Sequence, residues 1–258
     1  MSVKINSKRG QLTIFVILAI MIVAVLIIAF YPQIKKFTNP LIGLEVDAKS
    51  CLEKNVKTAL EETLLHGGSL NPALYFNYNN ISLNYLCYTG EWYKTCIMQQ
   101  PLLKQEIEKQ INIQAQAKLV ACINEVENKL EARGYNVKIT GTKKVGISLE
   151  PKKIVLTPDV EMIVEKGDTK QIYNANSFKT EIGSAAYDLV MLASSIQNFE
   201  ARYGDTTPEV FMGFYPDIKV EKKKQSDGTK VYIITSRTSL EKLQFATRSL
   251  AWPPGYAL

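Results

Sequence analysis

The residues with the most chemistry to offer are four cysteines, one histidine, two adjacent serines and a few lysine runs. Cys51, Cys87, Cys96 and Cys122 are all the cysteines of the 258-residue chain. No two of them form a C-x-x-C pair. His66 is the sole histidine, so a zinc site lacks its usual ligands. Four cysteines permit three pairings. Cys51 and Cys122 each stand beside a core-type Leu or Ile on a stretch of helical periodicity, and Cys87 and Cys96 bracket residues 88–95. The favoured pairing is Cys51–Cys122 with Cys87–Cys96, and buried reduced thiols are the other reading.

His66-Gly67-Gly68-Ser69 has the residue types of a glycine-rich loop that could offer backbone N–H groups to an oxyanion. Such an esterase-like site also needs a G-x-S-x-G nucleophile turn and a histidine base, and the chain has neither a matching turn nor a second histidine. The plainer reading places His66 on the last turn of a helix before a glycine cap. Ser194 or Ser195 with a distant lysine would make a Ser–Lys dyad, but both sit at core-facing spacing beside Ala193 and Ile196. Glu61 and Glu62 are adjacent and diverge on a helix. A phosphate loop, an H-E-x-x-H pair and an EF-hand loop are absent. The sequence names no catalytic residue, no metal ligand and no cofactor.

Lys222-Lys223-Lys224, Lys143-Lys144 and Lys152-Lys153 could touch an anionic glycan or headgroup. On a hairpin arm such a run more often forms a solvated edge that resists strand-to-strand aggregation. Asn80-Ile81-Ser82 is an N-glycosylation sequon. Around it, Tyr75, Tyr78, Tyr85, Tyr88, Trp92 and Tyr93 make a loop unusually rich in aromatic rings with polar tips, which suit interfaces. Tyr88, Trp92 and Tyr93 are the candidate interface residues. A disulfide-pinned loop packing its rings onto helices is the alternative.

These groups must be positioned by a chain whose first forty residues are unlike the rest. Leu12 to Phe30 is an unbroken apolar run. Nineteen residues at about 1.5 Å each give roughly 28 Å of helix, enough to cross a hydrocarbon core. Tyr31 suits the far interface and Pro32 breaks the helix. The end Ala29-Phe30-Tyr31-Pro32 is a poor signal-peptidase site, so a retained anchor over 12–31 is expected. Lys4, Lys8 and Arg9 precede the run and no acid does, which places the 1–11 tail in the cytoplasm and the bulk outside.

The net charge of +6 divides unevenly. Without those three basic residues, 28 basic side chains face 25 acidic ones. The body is nearly balanced, so nucleic acid is not an expected partner. The lipid bilayer is one, and a protein partner or self-assembly through residues 12–31 is another.

Lys8-Arg9-Gly10-Gln11-Leu12-Thr13, running straight into the apolar helix, resembles the class III (type IV prepilin-like) signal of archaea. The resemblance implies cleavage between Gly10 and Gln11 on the inner side, with the apolar helix kept as anchor or filament core. Many pilins carry Glu at the fifth mature position, where this chain has Phe15, and that departure bears on filament assembly more than on cleavage. The layout as a whole is similar to uncharacterised single-pass surface proteins of small-genome archaea.

After a link at 32–40, the periodicity predicts a helix from Leu44 to His66 and a loop with short extended pieces over 69–100. A long helix follows from Pro101 to Arg133. Tyr135 to Thr140, Val145 to Leu149 and Ile154 to Thr157 alternate as strands, and Val160 to Tyr173 reads as a hairpin. A helix from Ser177 or Thr180 to Arg202 follows. Ile218 to Thr235 forms a second hairpin, and Leu240 to Leu250 leans to strand. Hydrophobic content of 46% supports a folded body. The expected fold is α+β: long helices packed on an antiparallel sheet over 41–258, with 41–134 and 135–258 as candidate lobes. The functional expectation is a membrane-anchored extracytoplasmic structural or binding protein, with a pilin-like surface subunit as one form. An anchored hydrolase with an unrecognised site, or an envelope-assembly or sensor subunit, is the alternative.

Overall fold

The computed structural model describes residues 16–28 and 43–251. Gly10, Gln11, Phe15, the 1–11 tail and the 32–40 link lie outside them. Residues 16–28 form a helix, α1, with its side chains exposed. Among the described residues no helix is long and apolar enough to cross a membrane. The remainder of the 12–31 segment lies outside those residues. Contacts divide the chain into two units, Met1–Glu45 and Val46–Leu258. The architecture below is that of the second.

Helix α2 (Leu44–Leu65) buries Leu52, Val56, Leu60 and Leu64 at i, i+4 spacing. Gly67 and Gly68 end it with φ of +74° and +89°, and the Gly68 N–H bonds the Thr63 carbonyl at 2.9 Å. Space as well as conformation demands glycine here. A Cβ on Gly67 would lie 2.9 Å from the Gln244 carbonyl oxygen, and one on Gly68 would lie 2.9 Å from Ile107 Cγ1. Gly67→Ala is therefore expected to destabilise the protein by about 1–3 kcal/mol, read as a lower urea midpoint at unchanged slope.

Next come β1 (Tyr75–Tyr78), β2 (Ile81–Tyr88) and β3 (Ile97–Met98). Helix α3 (Leu103–Ala132) has a buried stripe from Leu103 through Ile107, Ile111, Ala115 and Leu119 to Leu130. Strands β4 (Asn136–Thr140), β5 (Val145–Glu150), β6 (Lys153–Pro158), β7 (Glu161–Lys166) and β8 (Thr169–Tyr173) follow. After them come a 3-10 turn (Ala175–Phe178) and β9 (Thr180–Gly183). Helices α4 (Ala186–Tyr203) and α5 (Pro208–Phe214) precede β10 (Ile218–Lys224), β11 (Thr229–Ser236) and β12 (Lys242–Arg248).

The fold is α+β, but its strands form three sheets rather than one. The main sheet has the order β1-β2-β12-β11-β10, with β3 also on β2. Two three-stranded sheets, β4-β7-β8 and β5-β6-β9, complete the set. All pairs are antiparallel except β2 with β12. That parallel pair corrects the expectation of a wholly antiparallel sheet. Its two strands are separated by most of the body, so no short turn constrains their direction.

One core joins both candidate lobes. Leu60, Ile107 and Leu119 pack in the same cluster as Leu156, Leu189 and Phe245. The halves 41–134 and 135–258 thus share a single interior. A smaller cluster lies on the other face of the main sheet, where Leu83, Tyr85, Val231 and Ala246 meet Phe76 and Tyr78 of β1. Period-two alternation sends Leu83 and Tyr85 to this face and Leu86 to the main core.

Cys51 is bonded to Cys122, tying α2 to α3, and Cys87 is bonded to Cys96, closing the loop between β2 and β3. No free cysteine remains.

Candidate binding groove above a buried charge network

The buried stripe of α4 runs Leu189, Ala193, Ile196 and then Glu200, a carboxylate where an apolar side chain would be expected. Glu200 is fully buried. Gly204, in the left-handed region at φ +81°, ends the helix and turns Asp205 and Thr206 inward, both buried. Pro208 then starts α5 at a position that needs no N–H. On the sheet, Ile218, Val220 and Lys222 share one face of β10, and Lys230, Tyr232 and Ile234 share the matching face of β11. Two lysines therefore enter the interior from the sheet and meet two acids from the helix end.

Lys230 Nζ donates to Glu200 Oε2 at 2.8 Å and to the Gly204 carbonyl at 2.6 Å, and it lies 3.1 Å from Asp205 Oδ1. Lys222 Nζ donates to Asp205 Oδ1 at 3.0 Å and to the Thr206 carbonyl at 2.6 Å. The Tyr232 hydroxyl donates to Glu200 Oε1, and its ring stacks on Phe245. The side chains of Lys230, Glu200 and Asp205 are 5%, 0% and 1% exposed. An isolated charge at such depth would cost several kcal/mol; two of each sign, closely hydrogen-bonded, offset that penalty.

Burial pushes the Glu200 carboxyl up, and Lys230 and Tyr232 oppose this without reversing it. Burial also acts on Asp205, but Lys230 and Lys222 outweigh it and hold that carboxyl below its ordinary value. Burial, reinforced by the Glu200 charge, drives the Tyr232 phenol far upward. These are the signatures of a structural lock. The donor directions of Lys230 are spent on protein oxygens, which leaves it nothing to offer a substrate. One acceptor is left over: Asp205 Oδ2 is buried without a hydrogen bond, with Lys224 Nζ 3.8 Å away.

Above the lock opens a groove of ≈ 580 Å³. Its walls are Phe199 and Tyr203 of α4, Val210 of α5, and Thr95 and Ala251, with Asp205 and Thr206 at its base. Phe199, Tyr203 and Val210 are 42%, 54% and 49% exposed. Phe199 meets Phe211 edge-on at 5.6 Å, which fixes the wall. Arg202 stands exposed on the rim. An apolar trough with one cationic rim residue over a rigid base suits binding.

No protein-family model matches this chain, and neither a curated protein nor a solved structure does.

The other candidates resolve as follows. His66 Nδ1 donates to the Ser82 carbonyl at 3.1 Å, which makes it a tie between the end of α2 and β2. Ser194 and Ser195 turn their hydroxyls back onto the Val190 and Met191 carbonyls, each at 3.0 Å. Trp92 and Tyr93 are exposed at 56% and 73%. Tyr88 behaves differently: its ring packs edge-on to Tyr85 at 5.0 Å and lies under Arg248 at 5.7 Å, so it is largely committed to the small cluster. Asn80 is exposed at a hairpin tip. Among the described residues no group of three His, Cys, Asp or Glu side chains is arranged to hold a metal ion.

The lysine run corrects one expectation. Lys223 and Lys224 are about half exposed on edge strand β10, but the Lys222 side chain is 8% exposed and ion-paired. Sequence reasoning missed the lock. Its signals were present: Glu200 continues the apolar stripe of α4, and Lys222 and Lys230 keep the inward phase of their strands.

Proposed function

We propose that this chain is a membrane-anchored extracytoplasmic binding protein. Residues 12–31 hold it in the bilayer, the 1–11 tail is cytoplasmic, and the body from 46 onward lies on the oxidising side. The observation that carries this reading is the pairing of all four cysteines in disulfides, because bonds of this kind persist in oxidising compartments and are rare where thiols are kept reduced. The apolar run with basic residues before it supports the same orientation.

The binding surface is the groove between α4 and α5. Its occupant is a segment of a partner protein with aliphatic or aromatic side chains and an acidic group that reaches Arg202, which no carboxylate among the described residues pairs. Trp92 and Tyr93 are exposed on the loop that leads to Thr95 of the groove wall. A second reading, a pilin-like subunit assembling through residues 12–31 after cleavage between Gly10 and Gln11, is favoured by the Arg9-Gly10-Gln11 junction alone.

Protease added to intact cells tests the placement. It is expected to digest the body; a body that survives on intact cells and is lost only after permeabilisation would overturn it. A photo-crosslinker at position 203 tests the groove. A discrete adduct that Arg202→Glu abolishes is expected; an adduct pattern unaffected by Arg202→Glu would contradict the proposed occupant.

A further inference from the structure

The two edges of the main sheet are protected unequally. β10 forms one edge. It carries Lys219, Lys223 and Lys224 as exposed charges, and α5 packs against it. β1 forms the other edge and, among the described residues, pairs with β2 alone. Its four residues, Tyr75, Phe76, Asn77 and Tyr78, carry no charge and no proline. An uncharged aromatic edge strand is an open template for another strand.

At the end of that strand stands the one N-x-S/T sequon of the chain, Asn80-Ile81-Ser82. Tyr78 pairs with Ile81, so Asn79 and Asn80 are the two central residues of the turn. Their φ values of +50° and +65° are those of a type I′ hairpin turn, which asparagine tolerates. Asn80 is exposed. Asn80 thus stands at the tip of the β1–β2 hairpin, two residues beyond the end of β1.

We infer that Asn80 carries an N-linked glycan and that this glycan shields the β1 edge. The inference rests on the extracytoplasmic placement proposed above. The sugar donor is an oligosaccharide linked to a lipid phosphate or diphosphate. Asn80 Nδ2 forms a bond to the anomeric carbon of the sugar, the bond from that carbon to the lipid phosphate oxygen breaks, and the lipid phosphate leaves with the electron pair. The amide gives up one proton to a base of the transferase, and nothing is oxidised or reduced. In the folded hairpin, Ser82 is held in the ladder opposite Asn77, and its hydroxyl donates to Asn77 Oδ1 at 3.2 Å. The sequon is therefore open to a transferase only before β1 closes on β2, so transfer precedes folding of the hairpin.

The test uses the full chain purified from its native membranes, with peptide mass spectrometry across residues 69–100. A sugar mass on Asn80 is expected. Asn80→Gln and Ser82→Ala should each abolish it, and Ser82→Thr should retain it. In detergent solution the two variants lacking the sugar should shift toward higher oligomers on size exclusion relative to Ser82→Thr. A bare Asn80 in the native protein overturns the inference. So does a glycosylated Asn80 whose loss leaves the elution position unchanged, which removes the shielding role. The placement fails separately: a peptide released from intact cells by protease with bare Asn80 refutes the glycan while leaving the body outside.

Discussion

Lys230→Met is expected to destabilise the body by about 3–5 kcal/mol, the usual consequence of removing one partner from a buried ion pair. The loss arises from what is left behind. Glu200, fully buried, keeps only the Tyr232 hydroxyl, and the Gly204 carbonyl at the end of α4 loses its donor. Asp205 retains Lys222 and the Thr206 N–H. The double variant Glu200→Leu, Lys230→Met should recover much of the loss, because it removes the orphaned charge together with its partner. Chemical unfolding of both variants measures this, and a double variant as unstable as the single one would mean the lock acts by shape rather than by charge.

The second large effect concerns the helices. Cys51 and Cys122 are 71 residues apart in sequence. Loop-closure entropy gives about 4 kcal/mol for a bridge of that span and nearer 3 kcal/mol for Cys87–Cys96, whose separation is 9. Cys51→Ser with Cys122→Ser should therefore lower stability more than Cys87→Ser with Cys96→Ser, in denaturant titrations under non-reducing conditions. Domains of this kind hold only about 5–15 kcal/mol in total, so the first pair of substitutions consumes a large share.

Much of this architecture is legible in the residues. Helix α3 was readable because Ile107, Ile111, Ala115 and Leu119 recur at helical spacing between Pro101 and Gly134. Both hairpins, β7–β8 and β10–β11, show alternation around Lys166-Gly167-Asp168 and Ser226-Asp227-Gly228. Three elements were not legible, each for a physical reason. β2 lies in a segment that reads as loop with short extended pieces, because its alternation from Ile81 to Tyr85 is broken by Leu86-Cys87-Tyr88 in a strand buried on both faces. β9 was absorbed into α4, since Ile182 fits a helical stripe as well as a strand; its pairing with β6 decides the matter. Helix α5 has only seven residues, about two turns beginning at Pro208, too brief for periodicity to register. The ion-pair lock was hidden because Glu200, Asp205, Lys222 and Lys230 are distant in sequence and read singly as surface charges. Only the register of β10 against β11 brings the lysines to one spot beneath α4.

The claim on which the account rests is that the body folds in an oxidising compartment. The most direct measurement is peptide mapping without reduction, on protein alkylated during isolation from its own membranes. The account predicts two linked peptide pairs, Cys51 with Cys122 and Cys87 with Cys96, and no alkylated cysteine. Four alkylated thiols in the folded protein would contradict it.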